Sequence, residues 1–159
     1  MATYKHGSGA VTAAKRVVVK DAFVQGSEVV IEVDQPAGTI LNDVICRFIG
    51  NVGLGGSGDI GFEIGTSSSG NQIAKNVDGF LDAGTAIAAN SVYFLLRGNS
   101  GANSVTADAA DTTNDHTSGA AAGGYTDSDR TIFFTTICAN ETVSGDNEIE
   151  LNFVFTHLN

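Results

Sequence analysis

The residues of this chain that could do chemistry are three histidines, two cysteines and a scatter of carboxylates. His6, His116 and His157 lie far apart, in a basic start, a long loop and the last residues. Nucleophilic catalysis needs a Ser or Cys within hydrogen-bond reach of a base. No Ser or Cys here stands in a nucleophile-elbow motif. Cys46 and Cys138 sit in apolar strand sequence, Val44-Ile45-Cys46 and Ile137-Cys138. Free Cys packs in such places as a small hydrophobe, and a buried thiol is inert. Two buried free thiols are expected, with a disulfide as the alternative. No second Cys or His stands at zinc-ligand spacing.

Paired carboxylates could cleave glycosides. Glu28, Glu32, Glu148 and Glu150 all fall on the polar positions of alternating strands, which reads as a solvated sheet face. The chain has no Trp, and sugar platforms usually use aromatic faces. Asp108, Asp111, Asp115, Asp127 and Asp129 supply oxygen ligands for calcium. Their spacing does not match the calcium loop. The run Gly53-Leu54-Gly55-Gly56-Ser57-Gly58 leads into a strand rather than a helix, so it offers no helix N-terminus to a phosphate. The expectation is therefore a non-enzyme with no catalytic residue, no metal and no cofactor.

The elements that would position these residues are short strands. In Gly58–Gly65 the apolar residues Ile60, Phe62 and Ile64 alternate with Asp59, Gly61 and Glu63, which predicts a half-buried strand bracketed by glycines that set tight turns. Arg16–Lys20 and Ser27–Asp34 read as strands. Pro36-Ala37-Gly38 makes a turn, and Thr39–Ile49 follows as a long strand apolar on both faces. Gln72–Ala74 is a weak strand. Val77–Ala89 is ambiguous: its alanines and Leu81 favour one or two helical turns, and Gly79 and Gly84 oppose them. Ser91–Arg97 and Arg130–Cys138 are again apolar on both faces. Asn147–His157 sends Ile149, Leu151, Phe153 and Phe155 one way and Glu148, Glu150 and Asn152 the other. With Arg130–Cys138 and the turn Asn140–Asp146 it predicts a C-terminal hairpin. Roughly eight strands with almost no helix signal predict an all-β, antiparallel β-sandwich, jelly-roll-like, with long Gly/Ser/Asp-rich loops.

At 159 residues the chain is expected to be one domain over residues 15–159, with a long acidic loop at 98–129 and a flexible basic arm at 1–14. There are 8 Lys and Arg against 18 Asp and Glu, a formal charge of −10. That balance argues against nucleic acid and against an anionic membrane surface. The start lacks the apolar core of a secretory signal, so synthesis in a cytoplasm is expected. A two-layer sandwich buries one face of each sheet, so strands apolar on both faces need a loop, a terminus or another subunit over them. Interface candidates follow from this and from the basic start: Lys5, Lys15, Arg16, Leu41, Ile45, Tyr93, Leu95 and Phe133.

Three stretches carry a family resemblance. Pro36–Val44, with its P-A-G-T turn entering a D-V strand, the Gly58–Thr66 cassette ending I-G-T, and the closing Arg130–Phe155 segment together resemble the small virion structural proteins of tailed bacteriophages, particularly head decoration or cement proteins of marine phages. The resemblance implies a β-rich, non-enzymatic homo-oligomer, with a trimer favoured. It would sit on the outside of a virion and bridge subunits of the major capsid protein. Tail, knob or fibre components and carbohydrate-binding modules are the alternatives. No site residue carries over from the family.

Overall fold

The computed structural model describes residues 12–55, 60–67, 70–81, 86–96, 125–139 and 141–158. Among these there is no helix. The strands are β1 Thr12–Lys20, β2 Val30–Gln35, β3 Thr39–Phe48, β4 Val52–Leu54, β5 Ile60–Ser67, β6 Gly70–Leu81, β7 Ala86–Ile87, β8 Val92–Phe94, β9 Tyr125–Thr126, β10 Arg130–Cys138, β11 Val143–Gly145 and β12 Glu148–His157. They form an all-β sandwich of antiparallel sheets. One principal sheet has the order β1-β12-β3-β8, with β9 also on β3. The other has the order β2-β10-β5-β6. A small sheet, β11-β4-β7, is built from the connections. Of the eight strands ordered along the principal sheets, the first, third, sixth and eighth in the chain lie in one sheet. The second, fourth, fifth and seventh lie in the other.

The expected C-terminal hairpin does not form. β10 pairs with β2 and β5, whereas β12 pairs with β1 and β3 in the opposite sheet. The intervening residues are not a simple turn, because Val143–Gly145 pair with β4. Gly145 does take the positive φ that its place demands, 88°. A Cβ there would come 2.5 Å from the Asn51 carbonyl oxygen. The ambiguity over Val77–Ala89 resolves to strand among the described residues. β6 continues to Leu81 along β5, and Ala86–Ile87 pair with β4, so ladder pairing overrides the weak helix propensity of the alanines. Thr12, Ala13 and Ala14, assigned from sequence to a flexible arm, are strand residues paired with Thr156, Phe155 and Val154.

Both principal sheets feed one core. β12 supplies Ile149, Leu151, Phe153 and Phe155, as its alternation predicts, and β5 supplies Ile60, Phe62 and Ile64. Phe134 of β10 meets Phe153 of β12 edge to face, and Phe48 of β3 meets Phe80 of β6 likewise. Fully burying one such side chain contributes about 1.5–3 kcal/mol. β3 departs from simple alternation. Val154 is opposite Asp43 and Phe155 is opposite Leu41, so Asn42 is an extra residue, a β-bulge. The bulge switches the inward face. Leu41 before it and Val44, Cys46 and Phe48 after it all point into the same core. Much of the doubly apolar pattern of Thr39–Ile49 is therefore one core face interrupted by a bulge.

Gly58 lies outside the described residues, and the other two glycines of the Gly58–Gly65 cassette change meaning. Gly61 and Gly65 lie inside β5, opposite Ile137 and Phe133 of β10. On the outward face a bulky apolar side chain thus stands across from a residue with none, which gives a ring or branched chain room to lie over the neighbouring strand. These two glycines make space in a sheet rather than turns at its ends.

Candidate interaction surfaces

Alternation sends Glu150 and Asn152 of β12 to the outer face of their sheet. The register sets Val18, Glu150, Arg47 and Val92 in one row across β1, β12, β3 and β8. Arg16, Asn152, Ile45 and Phe94 form the next row. Charged and apolar residues therefore share this face. The Glu150 carboxylate is clamped there. It accepts from Arg16 Nε at 2.6 Å and pairs with Arg16 Nη2 at 2.5 Å. Arg47 Nη2 donates to the same oxygen at 3.2 Å, and Asn152 Nδ2 donates to the other at 3.1 Å. Arg47 also donates to Asn90 Oδ1 at 3.1 Å. Hydrogen bonds from Arg16 first, then Asn152 and Arg47, hold the Glu150 carboxyl down to about 2 from an ordinary 4.5. A carboxylate held ionised in this way is a brace across three strands and a poor general acid.

A second surface lies where edge strands β1 and β2 run side by side. Lys15, Arg16, Val17, Glu32, Val33 and Asp34 line a shallow groove of about 410 Å³. Lys15 is opposite Phe153, which points into the core, so Lys15 is turned inward on an edge strand. Its Nζ donates to the Asp34 carbonyl oxygen at 2.6 Å and spans the two sheets. Inward charge on an edge strand is a known guard against edge-to-edge pairing.

A third concavity, of about 480 Å³, lies at the β2–β3 turn and is lined by Asp34, Gln35, Pro36, Asp129, Arg130 and Thr131. Its side chains hold the turn. Asp129 Oδ1 accepts from the Ala37 N–H at 2.8 Å, and Arg130 Nε donates to Gln35 Oε1 at 3.0 Å. Buried Gln35 donates in turn to the Thr39 carbonyl at 3.1 Å. Burial pushes the Arg130 guanidinium below its ordinary value. Carboxylate, amide and guanidinium groups together suit a polar, hydroxyl-bearing ligand.

The eight interface candidates do not converge. Lys5 lies outside the described residues. Lys15 and Arg16 are engaged within the chain, with Asp34 and Glu150. Leu41 and Leu95 are buried in the chain's own core, so neither offers docking surface. Tyr93 faces inward opposite Cys46, and its hydroxyl donates to the Phe80 carbonyl at 3.0 Å. Ile45 and Phe133 remain half-exposed, on the outer faces of opposite sheets. The Glu150 clamp and its partners Arg47 and Asn90 were missed as a group. In sequence Glu150 reads as part of a solvated face, and its arginines lie 134 and 103 residues away.

Cys46 and Cys138 are free and buried, one in each principal sheet. Burial pushes the Cys46 thiol far up and raises that of Cys138 as well, so neither is poised as a nucleophile. His157 ends β12, and His6 and His116 lie outside the described residues, as do residues 98–124 of the acidic loop. Tyr125 and Thr126, assigned to that loop, pair with β3. Among the described residues no three His, Cys, Asp or Glu side chains group as metal ligands. Comparison with family models, with curated proteins and with solved structures gave no match.

Proposed function

We propose that this protein is a non-catalytic structural component of a bacteriophage head, a decoration or cement protein that bridges subunits of the major capsid protein. The observation that carries the reading is the strand order. Eight strands in two four-stranded arrays, β1-β12-β3-β8 and β2-β10-β5-β6, support a jelly-roll reading, an architecture used by viral capsid proteins. The three stretches that carry the phage resemblance cover β3, β5, β10 and β12, the central strands of both principal sheets, and β11 of the small sheet. They therefore speak for the scaffold. The surface adds a second support. Half-buried Ile45 and Phe94 lie on the outer face of the first sheet, in the row next to the Glu150 clamp, and half-buried Phe133 lies on the outer face of the other sheet. Many such modest contacts, repeated over a shell, would act by avidity.

The test is to count copies on purified particles by quantitative mass spectrometry and to locate them by antibody labelling. Copies in the hundreds over the head surface are expected. A handful of copies on the tail would replace this reading with a tail, knob or fibre component. Absence from particles would remove both. The cleft beside Arg130 favours a second reading, a carbohydrate-binding module, since jelly rolls also serve as lectins. Binding of the isolated protein on a glycan array, lost in Arg130→Ala, would favour it over the first.

A further inference from the structure

The outer faces of the two principal sheets differ in charge. Residues directly opposite on neighbouring strands share a face, so the register assigns each one. On the β1-β12-β3-β8 sheet the outward charged residues among those described are Lys20, Arg16 and Arg47 against Glu148, Glu150 and Asp43. Cations and carboxylates balance there. On the β2-β10-β5-β6 sheet the described outward carboxylates Glu32, Asp34 and Glu63 face a single described cation, Lys75. A chain with a formal charge of −10 thus carries none of its excess on the first face. The charge at the middle of that face is settled within the chain, because Arg16, Arg47 and Asn152 hold Glu150. Around the clamp stand exposed Val18 and Tyr125 and half-buried Ile40, Ile45, Val92 and Phe94.

We propose that a second copy of this chain packs on that face, sheet against sheet, about a two-fold axis that runs parallel to the strands between β12 and β3. Two bodies of the same net charge approach with least repulsion through faces that carry none of it. The register makes this face self-complementary under that rotation, since each row returns over itself. Val18 of one copy lies over Val92 of the other, and Glu150 over Arg47. Such a contact is isologous and closes at two. A clamp satisfied inside its own chain is covered without leaving a charge unpaired, and the apolar residues around it supply the attraction. The face extends about 30 Å along β1 and about 19 Å across four strands. That is most of one partner's share, about 800 Å², of a standard interface. The acidic face, with Phe133, is left for the shell.

This rests on the homo-oligomer of the proposed function and deepens it. The test is made on the isolated full chain, so its failure would leave the copy count on particles untouched. Sedimentation equilibrium of the unmodified protein should show a dimer that tightens with added salt, as the repulsion between like net charges is screened. Val18→Glu should weaken the dimer at least about tenfold. Val30→Glu, the same change at an exposed valine on the outer face of the other sheet, should leave it in place. A mixture of Val18→Cys and Val92→Cys chains should be joined by a bismaleimide of about 10 Å, the spacing of packed sheets, and neither variant should join to itself. A monomeric or trimeric unmodified protein, a dimer that Val30→Glu weakens as much as Val18→Glu, a mixture that does not cross-link, or either cysteine variant cross-linking alone would overturn the proposal.

Discussion

The two lateral sides of this sandwich are finished in different ways. On the β6/β8 side the gap between the sheets is sealed with rings. Tyr93 packs edge-on against Phe48 and Phe80, and its hydroxyl donates to the Phe80 carbonyl across the gap. Phe23 and Phe62 extend the cluster through Phe80. On the β1/β2 side no ring among the described residues lines the groove. Val17 and Val33 line it, Lys15 spans it through a single hydrogen bond, and valines stand exposed around the nearby connection. The contrast teaches that the same gap between two sheets is closed by stacked rings on one side and crossed by a lysine stem on the other.

Breaking the sealed side should cost most. Phe80→Ala should lower stability by about 3–5 kcal/mol in urea unfolding. A loss no larger than that of an exposed valine would mean that the cluster does not seal the gap. Tyr93→Phe isolates the hydroxyl. It should cost about 0.5–1.5 kcal/mol and leave the near-ultraviolet ring signals of the cluster in place. On the open side, Lys15→Met keeps the aliphatic stem and removes the ammonium. Stability should fall by about 1 kcal/mol, and light scattering at high protein concentration should rise, because the guard on the β2 edge is gone.

The smallest effect is expected from Glu150→Gln, since its arginines face solvent. Its pH dependence has a definite sign. The folded-state value of about 2 lies below the ordinary 4.5, so the carboxylate's contribution is complete above 4.5. It is lost as pH falls toward 2. The melting-temperature gap between the two proteins should be constant above pH 4.5 and close toward pH 2.

Strand-level features were legible in the sequence because they are local. Arg130–Cys138 is β10 as read, and the alternation of Asn147–His157 places each inward residue of β12 correctly. Partnership was not legible. Nothing in Arg130–His157 says that its two strands belong to opposite sheets, because strand pairing is decided by distant segments. Gly65 reads in sequence as a turn maker, but β10 pairs against it and makes it a strand residue. The same holds for the surfaces. Arg16 announced a basic start, but its engagement with Glu150 depends on β1 lying against β12. Leu41 looked like half of a second apolar face because a bulge leaves no mark on composition.

That bulge has a use of its own. A strand is a wave of period two, and Asn42 advances its phase by half a cycle. Without the bulge, Leu41 and Val44 would point to opposite faces, and one of them would leave the core. With it, Val44 enters the core while Asp43 stays on the outer face, buried, its Oδ1 accepting from the Val44 N–H at 2.9 Å and from the Leu96 N–H at 3.2 Å. One inserted residue thus lets a single strand serve two clients: hydrophobic packing on one flank, and on the other a carboxylate moored to the chain just beyond β8. Any insertion or deletion in Thr39–Phe48 would have to preserve that phase, however conservative it looked by composition.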